Sequence, residues 1–313
     1  MKKSPIKTSL FPRPFLKWAG GKNQLLNEFE KRLPYSMVKC KRIYRYVEPF
    51  LGGGAMFFFL KKNYDVRESV LFDINPDLIV AYKVIKNDHR ELISQLEEIE
   101  FKHLKKNEVN RKQHYYLIRS LYNHQMKNFD YENPSDEWVE RTSYFIFLNK
   151  TCYNGLFRLN KKGEFNVPYG RYDNPKIYNK ENIKKINRAL KDTEIFQGDF
   201  TGSEYFINEK TFVYLDPPYR PLSDTSNFTN YAKNGFSEND QLILANFFVK
   251  MDKKRAYLML SNSDPQNLNP SDTFFDELYE KYIIERIPAK RNINRNILKR
   301  GQINELIIRN YQR

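Results

Sequence analysis

Short apolar segments alternate with helical segments at both ends of the chain, and this alternation limits the possible folds. Strands are predicted where apolar runs are short and bounded by turn residues, at positions 45–50, 69–73, 194–199, 211–216, 256–262, 282–287 and 305–310. Helices are predicted between them, at 55–62, 76–86, 238–251 and 272–281. Such an alternation is typical of an α/β fold with a Rossmann-like, doubly wound sheet.

The middle of the chain has a different pattern. From about residue 88 to residue 190 the strand signal fades, and apolar residues recur at helical spacing, as in Tyr115, Ile118, Leu121 and Tyr122. This predicts a discontinuous domain, 1–87 and 191–313, with a helical domain, 88–190, inserted into it. Two independent domains joined by a linker are the alternative, in which each half would have to complete its own sheet.

The charge of the chain predicts a polyanionic partner. Lys and Arg number 53 against 38 Asp and Glu, a net charge of +15. Nucleic acid is favoured over a membrane surface, because no apolar run approaches transmembrane length, although a generally basic solvated surface would give the same composition.

The N-terminus lacks the apolar stretch of a signal peptide, so a cytoplasmic protein is expected. Cys40 and Cys152 are isolated, and the four histidines follow no ligand pattern, so no metal site is expected.

A carboxylate, two prolines and an aromatic ring follow the predicted strand at 211–216, as Asp216, Pro217, Pro218 and Tyr219. This order suits methyl transfer to the exocyclic amine of a base, whose lone pair becomes available only when acceptors hold both amino hydrogens. Asp216 can provide one acceptor and the carbonyl of Pro217 the other, because proline has a fixed φ and no N–H. Tyr219 could then stack on the base. The alternative is an ordinary proline-rich turn after a strand.

Further polar or permissive residues follow other predicted strands. Gly52 and Gly54 allow close approach of the backbone to a ligand, and Asp73 lies where an acidic side chain commonly accepts from ribose hydroxyls. Asp199 could accept from an adenine amine. The GxGxxG fingerprint is absent, which disfavours a nicotinamide enzyme and favours an adenosine ligand without phosphates. Taken singly, each aspartate is better explained as a helix cap or turn residue.

Four segments, 14–22, 47–58, 71–75 and 216–219, resemble motifs of the DNA adenine methyltransferase (Dam) family, in the order of its alpha group. The resemblance extends from about residue 14 to 312, and 220–244 is similar to the DpnII-type modification methylases. It implies S-adenosylmethionine as cofactor and methylation of adenine N6 within GATC in DNA. It also implies that 1–87 and 191–313 form the S-adenosylmethionine-binding catalytic domain and 88–190 the target-recognition domain. A monomer is expected, and a cognate restriction endonuclease is compatible with the resemblance.

The resemblance assigns roles to individual positions. Asp216 matches the catalytic acid, with Pro217 and Tyr219 beside it. The residues implied to bind the cofactor are Trp18, Lys22, Phe50, Gly52, Gly54, Asp73, Asp199 and Asp216. Those implied to contact DNA are Lys17 and, in a hairpin that reads GATC, Tyr153, Asn154, Leu156, Arg158 and Pro168.

Two of the hairpin residues also suit these roles chemically. Arg158 can donate two hydrogen bonds to guanine, although a lone arginine can equally contact a phosphate. Tyr153, expected at the hairpin tip, could fill the gap left by a flipped base, although Tyr-Asn-Gly is also an ordinary turn. A basic stretch without acids at 288–301 predicts phosphate contacts by Lys290, Arg291 and Arg295, with a solvated loop as the alternative.

Two other functions remain open at this stage. A cytosine N4 methyltransferase would face the same amine chemistry, but the cytosine-directed relatives usually have Ser in place of Asp216. A catalytically silent, sequence-specific DNA-binding protein would also be basic, but it would not need a cofactor pocket together with Asp-Pro-Pro-Tyr.

Overall fold

The computed structural model describes residues 11–18, 20–220, 236–290 and 302–312, without the side chains of Lys290 and Gln302. Within these residues one mixed sheet forms in the order β3-β2-β1-β4-β5-β7-β6. Its strands are β1 (Arg42–Glu48), β2 (Asp65–Asp73), β3 (Thr193–Gln197), β4 (Thr211–Leu215), β5 (Tyr257–Ser263), β6 (Ile283–Lys290) and β7 (Gln302–Arg309). Strands β1 to β5 pair in parallel, whereas β7 is antiparallel to both β5 and β6. The predicted α/β, Rossmann-like sheet is confirmed.

The strand order reverses between β1 and β4. The chain proceeds from β1 outward to β2 and β3, then returns to the other side of β1 for β4 and β5. In an open sheet, ligands bind beside the carboxyl ends of the strands at such a switch point. Asp216 directly follows β4, and the glycine turn at 52–54 follows β1, so both lie at this edge.

Both faces of the sheet are covered, as the burial of β4 demonstrates. All five residues of this strand are buried, and alternate side chains enter different apolar clusters: Phe212 and Tyr214 one, Val213 and Leu215 the other. The covering helices are α1 (Leu26–Glu30), α2 (Tyr35–Cys40), α3 (Ala55–Asn63), α4 (Pro76–Asn87), α8 (Lys180–Ala189), α9 (Glu238–Lys253) and α10 (Phe274–Leu278).

Three long helices lie between α4 and α8 in the chain: α5 (His89–Leu104), α6 (Glu108–Gln125) and α7 (Asp136–Thr151). A buried polar cluster joins α7 and α6 to the start of α4. Arg141 on α7 donates to both carboxylate oxygens of Asp77, and the Tyr122 hydroxyl donates to Asp77 Oδ2 at 2.7 Å. The helical character predicted for the first part of this region is confirmed.

After α7 the chain forms an irregular hairpin. Two isolated antiparallel pairings, Cys152 with Tyr169 and Leu159 with Phe165, join its arms, and a turn closes it where Gly163 N donates to the carbonyl of Asn160 at 2.9 Å. Tyr153 therefore lies near the base of the hairpin, and its predicted place at the tip is wrong. The Asn154–Gly155 pair, with φ values of 55° and 64°, makes a separate bend there, so the turn that its sequence predicts is not the turn that closes the hairpin.

Several predicted boundaries also differ from the structure. Strand β3 ends at Gln197, because the Asp199 side chain accepts from Thr201 N at 2.9 Å and begins a 3-10 helix at Phe200–Phe206. Strand β2 begins at Asp65, earlier than the prediction at 69, since the charged residues in its first half hide the apolar pattern. The helix predicted at 272–281 is only the five residues of α10.

None of the helices in the described ranges is long and apolar enough to cross a membrane. The described residues also contain no group of three or more His, Cys, Asp or Glu side chains placed to hold a metal ion. Cys40 is exposed and Cys152 is buried, and both are free thiols.

Candidate active site and hairpin surface

Asp216 is held from one side only. Its Oδ1 atom lies 3.2 Å from Lys22 Nζ and accepts a hydrogen bond from Ser261 Oγ on β5, also at 3.2 Å. The hydroxyl of Tyr214 on β4 lies 2.9 Å from Ser261 Oγ and supports it from within the sheet. No residue in the described part of the chain donates a hydrogen bond to Asp216 Oδ2. Among the described residues, the carboxyl group therefore has one oxygen held by donors and one that receives no hydrogen bond.

Lys22 connects Asp216 to a second carboxylate. Its side chain is buried, and Nζ also lies 3.2 Å from Glu305 Oε2 on β7. Lys22 donates to the hydroxyl oxygen of Tyr219, and its Nζ lies 4.4 Å from the centre of the Tyr219 ring. The Tyr219 hydroxyl in turn donates to Glu305, with 2.7 Å to Oε1 and 2.9 Å to Oε2. We call Lys22, Asp216, Tyr219, Ser261 and Glu305 the carboxylate cluster.

The surroundings within this cluster shift the pKa values of Asp216 and Lys22. Burial is the largest cause that raises the pKa of Asp216, to about 6, with a further rise from Glu305 and an opposing effect from Lys22. Burial alone would lower the pKa of Lys22, but the negative charges of Asp216 and Glu305 outweigh it, so the pKa of Lys22 lies above its ordinary value. Lys22 is consequently a permanent cation at neutral pH, whereas Asp216 is largely ionised and titrates just below neutrality.

The Asp-Pro-Pro-Tyr segment is itself fixed at this edge. Pro217 is buried, and no described residue donates to its carbonyl oxygen. The carbonyl of Pro218, in contrast, accepts from Gln241 Nε2 of α9 at 3.3 Å. The ring of Tyr219 remains 38% exposed although its hydroxyl is bonded on two sides, so part of the ring can still be covered by another group.

The residues expected to bind a cofactor gather around the carboxyl ends of β1 and β2. Asp73 ends β2, where its Oδ2 accepts from Gly52 N at 2.8 Å and its Oδ1 from Asn75 N at 2.9 Å. Burial raises the pKa of Asp73, and these backbone hydrogen bonds oppose the rise. The carboxylate is thus oriented by the glycine turn, and its remaining lone pairs can accept further hydrogen bonds.

The glycines of this turn have an intramolecular role that the sequence did not reveal. A Cβ added at Gly52, whose φ is +48°, would lie 2.9 Å from Trp18 Cδ1, and one at Gly54, whose φ is +69°, would lie 2.6 Å from the Tyr82 hydroxyl. Trp18 also stacks on Phe157 of the hairpin, with ring centres 5.7 Å apart. Trp18 therefore lies between the glycine turn and the hairpin.

The two other expected cofactor residues differ in setting. Phe50 is half-buried and stacks on Phe200 with ring centres 5.4 Å apart, next to Phe236 at 5.8 Å. These rings form an apolar wall beside the turn. Asp199 is exposed, and it caps the 3-10 helix that follows it, the structural role that its residue type favours.

All the hairpin residues that are expected to contact DNA are exposed to solvent: Tyr153, Asn154, Leu156, Arg158 and Pro168. Their neighbours Cys152, Gly155, Phe157, Val167 and Tyr169 are buried and anchor the segment. Arg158 Nε donates to Asn166 Oδ1 at 2.7 Å across the hairpin, which orients the guanidinium group. The hairpin thus presents a polar and aromatic surface on an apolar base.

Lys17 is attached to this surface through Asn149, which sequence reasoning missed as a supporting residue. Asn149 on α7 accepts from Lys17 N and donates to the Lys17 carbonyl, both at 2.8 Å, and it also donates to the Gly155 carbonyl at 3.1 Å. The Lys17 side chain lies over the Tyr172 ring, with Nζ 4.5 Å from the ring centre. One buried amide therefore holds Lys17 beside the start of the hairpin.

No sequence motif points to Glu305 or Lys150. Glu305 reaches the carboxylate cluster only because β7 runs antiparallel, which brings its first residues to the carboxyl ends of the parallel strands. Lys150 is half-buried near the end of α7, where burial, followed by the charge of Lys17, lowers its pKa to about 8. Arg291 and Arg295, and the side chain of Lys290, lie outside the described residues.

Comparison with known proteins places this site in context. Residues 18–293 match the family described as D12 class N6 adenine-specific DNA methyltransferase. The chain is 48% identical over 300 residues to the Type II methyltransferase M.MjaIII of Methanocaldococcus jannaschii, covering 96% of this chain and 99% of the relative. It is 36% identical over 298 residues to the DNA adenine methylase of Vibrio cholerae, covering 94% and 95%. It is 33% identical over 307 residues to the DNA adenine methylase of Haemophilus influenzae, covering 98% and 96%.

Proposed function

Because the chain belongs to the D12 class N6 adenine-specific DNA methyltransferases, we propose that it transfers a methyl group from S-adenosylmethionine to adenine N6 within GATC in DNA. Relatives named DNA adenine methylase support adenine as the target. The observation that carries the proposal is the state of Asp216 at the switch point of the sheet. Lys22 and Ser261 engage its Oδ1, while its Oδ2 is available to an amino hydrogen.

Asp216 and Pro217 act together on the adenine amine. Asp216 Oδ2 accepts one amino hydrogen and the Pro217 carbonyl accepts the other, which frees the nitrogen lone pair from the ring. With a pKa of about 6, Asp216 is mainly a carboxylate at neutral pH and can hold this hydrogen bond. Lys22 remains protonated, so it orients Asp216 and cannot take up the proton that the amine releases.

The residues around the glycine turn fit an adenosine-containing cofactor. Asp73 presents an oriented carboxylate to ribose hydroxyls, and Phe50 contributes an apolar wall. Four further residues are proposed to bind the cofactor on this side of the site: Trp18, Lys22, Gly52 and Gly54. Asp199 is proposed to bind its adenine. When bound, S-adenosylmethionine supplies a methyl group on a positively charged sulfur, and alignment of methyl and amine accounts for much of the rate acceleration.

The hairpin is proposed to read GATC and to support base flipping. An adenine amine inside a duplex cannot reach a methyl donor, so the base must leave the stack at a cost of a few kcal/mol. The exposed Tyr153 is suited to fill the gap, and Arg158 can donate two hydrogen bonds to a guanine. Lys17 is proposed to contact the first guanine, Leu156 and Pro168 to touch base edges, and Asn154 to contact the DNA.

The remaining assignments are proposals on the same basis. Lys290, Arg291 and Arg295 are proposed to bind phosphates. Residues 1–87 and 191–313 are proposed as the catalytic domain and 88–190 as the target-recognition domain. The protein is proposed to act as a monomer, alone or with a restriction endonuclease that cuts the same site.

The proposal is tested by transfer of tritiated methyl groups to duplex oligonucleotides that contain GATC or each single-base variant of it. Digestion of the product and mass analysis identify the modified base. We expect N6-methyladenine, with efficient transfer only to GATC. N4-methylcytosine would refute the adenine assignment, and equal transfer to another tetranucleotide would refute GATC alone.

A further inference from the structure

Glu305 is the charged member of the carboxylate cluster to which neither the residue pattern nor the family resemblance assigns a role. It lies near the start of β7, opposite Ser263 of β5, and is only 6% exposed. A buried carboxylate is costly unless it is paired and hydrogen-bonded. Glu305 meets this requirement entirely within the cluster, through Lys22 Nζ at 3.2 Å and the Tyr219 hydroxyl at 2.7 Å and 2.9 Å.

The carboxylate cluster contains more negative than positive charges. Two carboxylates, Asp216 and Glu305, share the single cation Lys22, so the ionised cluster has a net charge of −1. If Glu305 were neutral, Lys22 would form an ion pair with Asp216 alone. The pKa of Asp216 would then be lower, and its carboxylate would be a less basic hydrogen-bond acceptor. The second carboxylate therefore preserves part of the proton affinity of Asp216. The resulting negative charge also suits a site in which positive charge passes from sulfur to nitrogen.

Glu305 also fixes the position of Tyr219. The Tyr219 hydroxyl lies between Lys22, which donates to it, and Glu305, which accepts from it. These two bonds restrain a ring that is otherwise 38% exposed at the edge of the site. A ring fixed before the base arrives loses less conformational entropy when the base stacks on it.

We propose that Glu305 is a positioning residue of the methyl-transfer site, where it shares the charge of Lys22 with Asp216 and anchors the hydroxyl of Tyr219. This inference rests on the proposed function and adds a role that acts through other side chains. The remaining titratable groups near Asp216 come from β1 and β4: Tyr46, Glu48, which accepts from Tyr46 at 2.8 Å, and Tyr214. None of them links Lys22 to Tyr219, so among the residues that the structure describes Glu305 supplies both effects.

The proposal predicts the direction of a pH shift. Glu305 raises the pKa of Asp216 and Lys22 lowers it, so Glu305→Gln removes the first effect and keeps the second. The pKa of Asp216 should fall below its wild-type value of about 6. In the free protein, NMR titration of carboxyl-labelled aspartate should detect a midpoint lower by roughly one pH unit. This readout requires neither DNA nor cofactor.

The same variant should change catalysis. We expect the acid limb of kcat/KM to move to lower pH in parallel with the NMR midpoint, and kcat to fall roughly tenfold or more because Tyr219 and Asp216 are less well positioned. Glu285→Gln is the matched control, since Glu285 on the neighbouring β6 is bonded to Arg32 and Arg309. It should leave the midpoint and the acid limb unchanged.

A second pair of variants tests the Tyr219 link if Glu305→Gln fails to fold. Glu305→Asp retains the charge but shortens the side chain, and Tyr219→Phe removes the hydroxyl. If Glu305 acts through Tyr219, the double variant should be hardly slower than Tyr219→Phe alone. Independent losses that multiply in the double variant would overturn the positioning role.

The outcomes separate this inference from the proposed function. A wild-type protein that methylates no DNA would refute the proposed function, while the NMR midpoint would still test the charge sharing. A folded Glu305→Gln variant with an unchanged midpoint and kcat within about twofold of wild type would overturn the role of Glu305 and leave the function standing.

Discussion

Lys22 and Lys150 are both withdrawn from solvent, yet their pKa values shift in opposite directions. Lys22 lies in the carboxylate cluster, where Asp216 and Glu305 outweigh the effect of burial and raise its pKa. Lys150 lies beside Lys17 near the hairpin, where burial and a second cation lower its pKa to about 8. In the described residues, Asp and Glu side chains form ion pairs with Lys22, but with none of Lys17, Lys150 or Arg158. The carboxyl edge of the sheet therefore supplies its own counter-charges, and the hairpin region does not.

This difference matches two different tasks. A site for methyl transfer needs its acceptor groups fixed before the substrate arrives, and internal ion pairs provide that fixation. A surface for DNA gains from cations without protein partners, because phosphates then complete the charge pairing and release counterions. The chain carries a net charge of +15, so the carboxylate cluster, with two carboxylates and one cation, differs locally from the overall charge.

The largest expected effect comes from removal of the Lys22 cation that Asp216 and Glu305 share. Lys22→Met should destabilise the protein by about 3–5 kcal/mol at neutral pH, because the half-buried Asp216 and the buried Glu305 would lose their shared cation. Urea unfolding measures this change. The deficit should shrink as the pH falls and Asp216 becomes protonated. Lys150→Met is the control, and it should not destabilise, since it removes a cation from an unfavourable environment. Equal losses in the two variants would remove the contrast between the regions.

A smaller effect is expected from the hairpin. Arg158→Ala should relax discrimination at one position of GATC by roughly 1–3 kcal/mol per wrong base pair, with little change in affinity for unrelated DNA. Lys161→Ala, at the exposed turn of the same hairpin, is the control and should leave discrimination intact. Competition binding with single-base variants measures both. A uniform loss for every sequence, with a shallower salt dependence, would instead make Arg158 a phosphate contact.

The smallest effect is a pH dependence of DNA binding. Lys150 has a pKa of about 8 in the free protein, and a nearby phosphate would raise it. Below that pH Lys150 is protonated in both states, and its contribution to affinity is constant. Above it, binding must take up a proton, so affinity should fall by up to about tenfold per pH unit. Lys150→Arg should abolish this decline, and an identical decline in that variant would show that Lys150 is not the group that takes up the proton.

The sequence predicts local features of this molecule better than features that depend on distant pairing. Residues 211–215 are continuously apolar, and the strand there ends one residue before Asp216, next to its predicted end. The helix predicted at 55–62 corresponds to Ala55–Asn63. In both cases the signal lies within a few neighbouring residues.

Glu305, Lys150 and the position of Tyr153 could not be predicted in the same way. The role of Glu305 depends on the antiparallel insertion of β7 between β5 and β6, which no local pattern encodes. The lowered pKa of Lys150 results first from burial and then from the charge of Lys17, which lies far away in the sequence. The strong turn signal of Asn154–Gly155 predicts Tyr153 at the hairpin tip, whereas the arms close at Asn160–Gly163.

The role of Asp216 as the acceptor for the amine is tested most directly by single-turnover methyl transfer. Wild-type protein and Asp216→Ala are each saturated with S-adenosylmethionine and a GATC duplex, and DNA binding is measured in parallel. We expect unchanged DNA affinity and a rate at least ~100-fold lower in the variant, the scale for loss of a positioned acceptor. A near wild-type rate in the DNA-bound variant would contradict the assignment of Asp216.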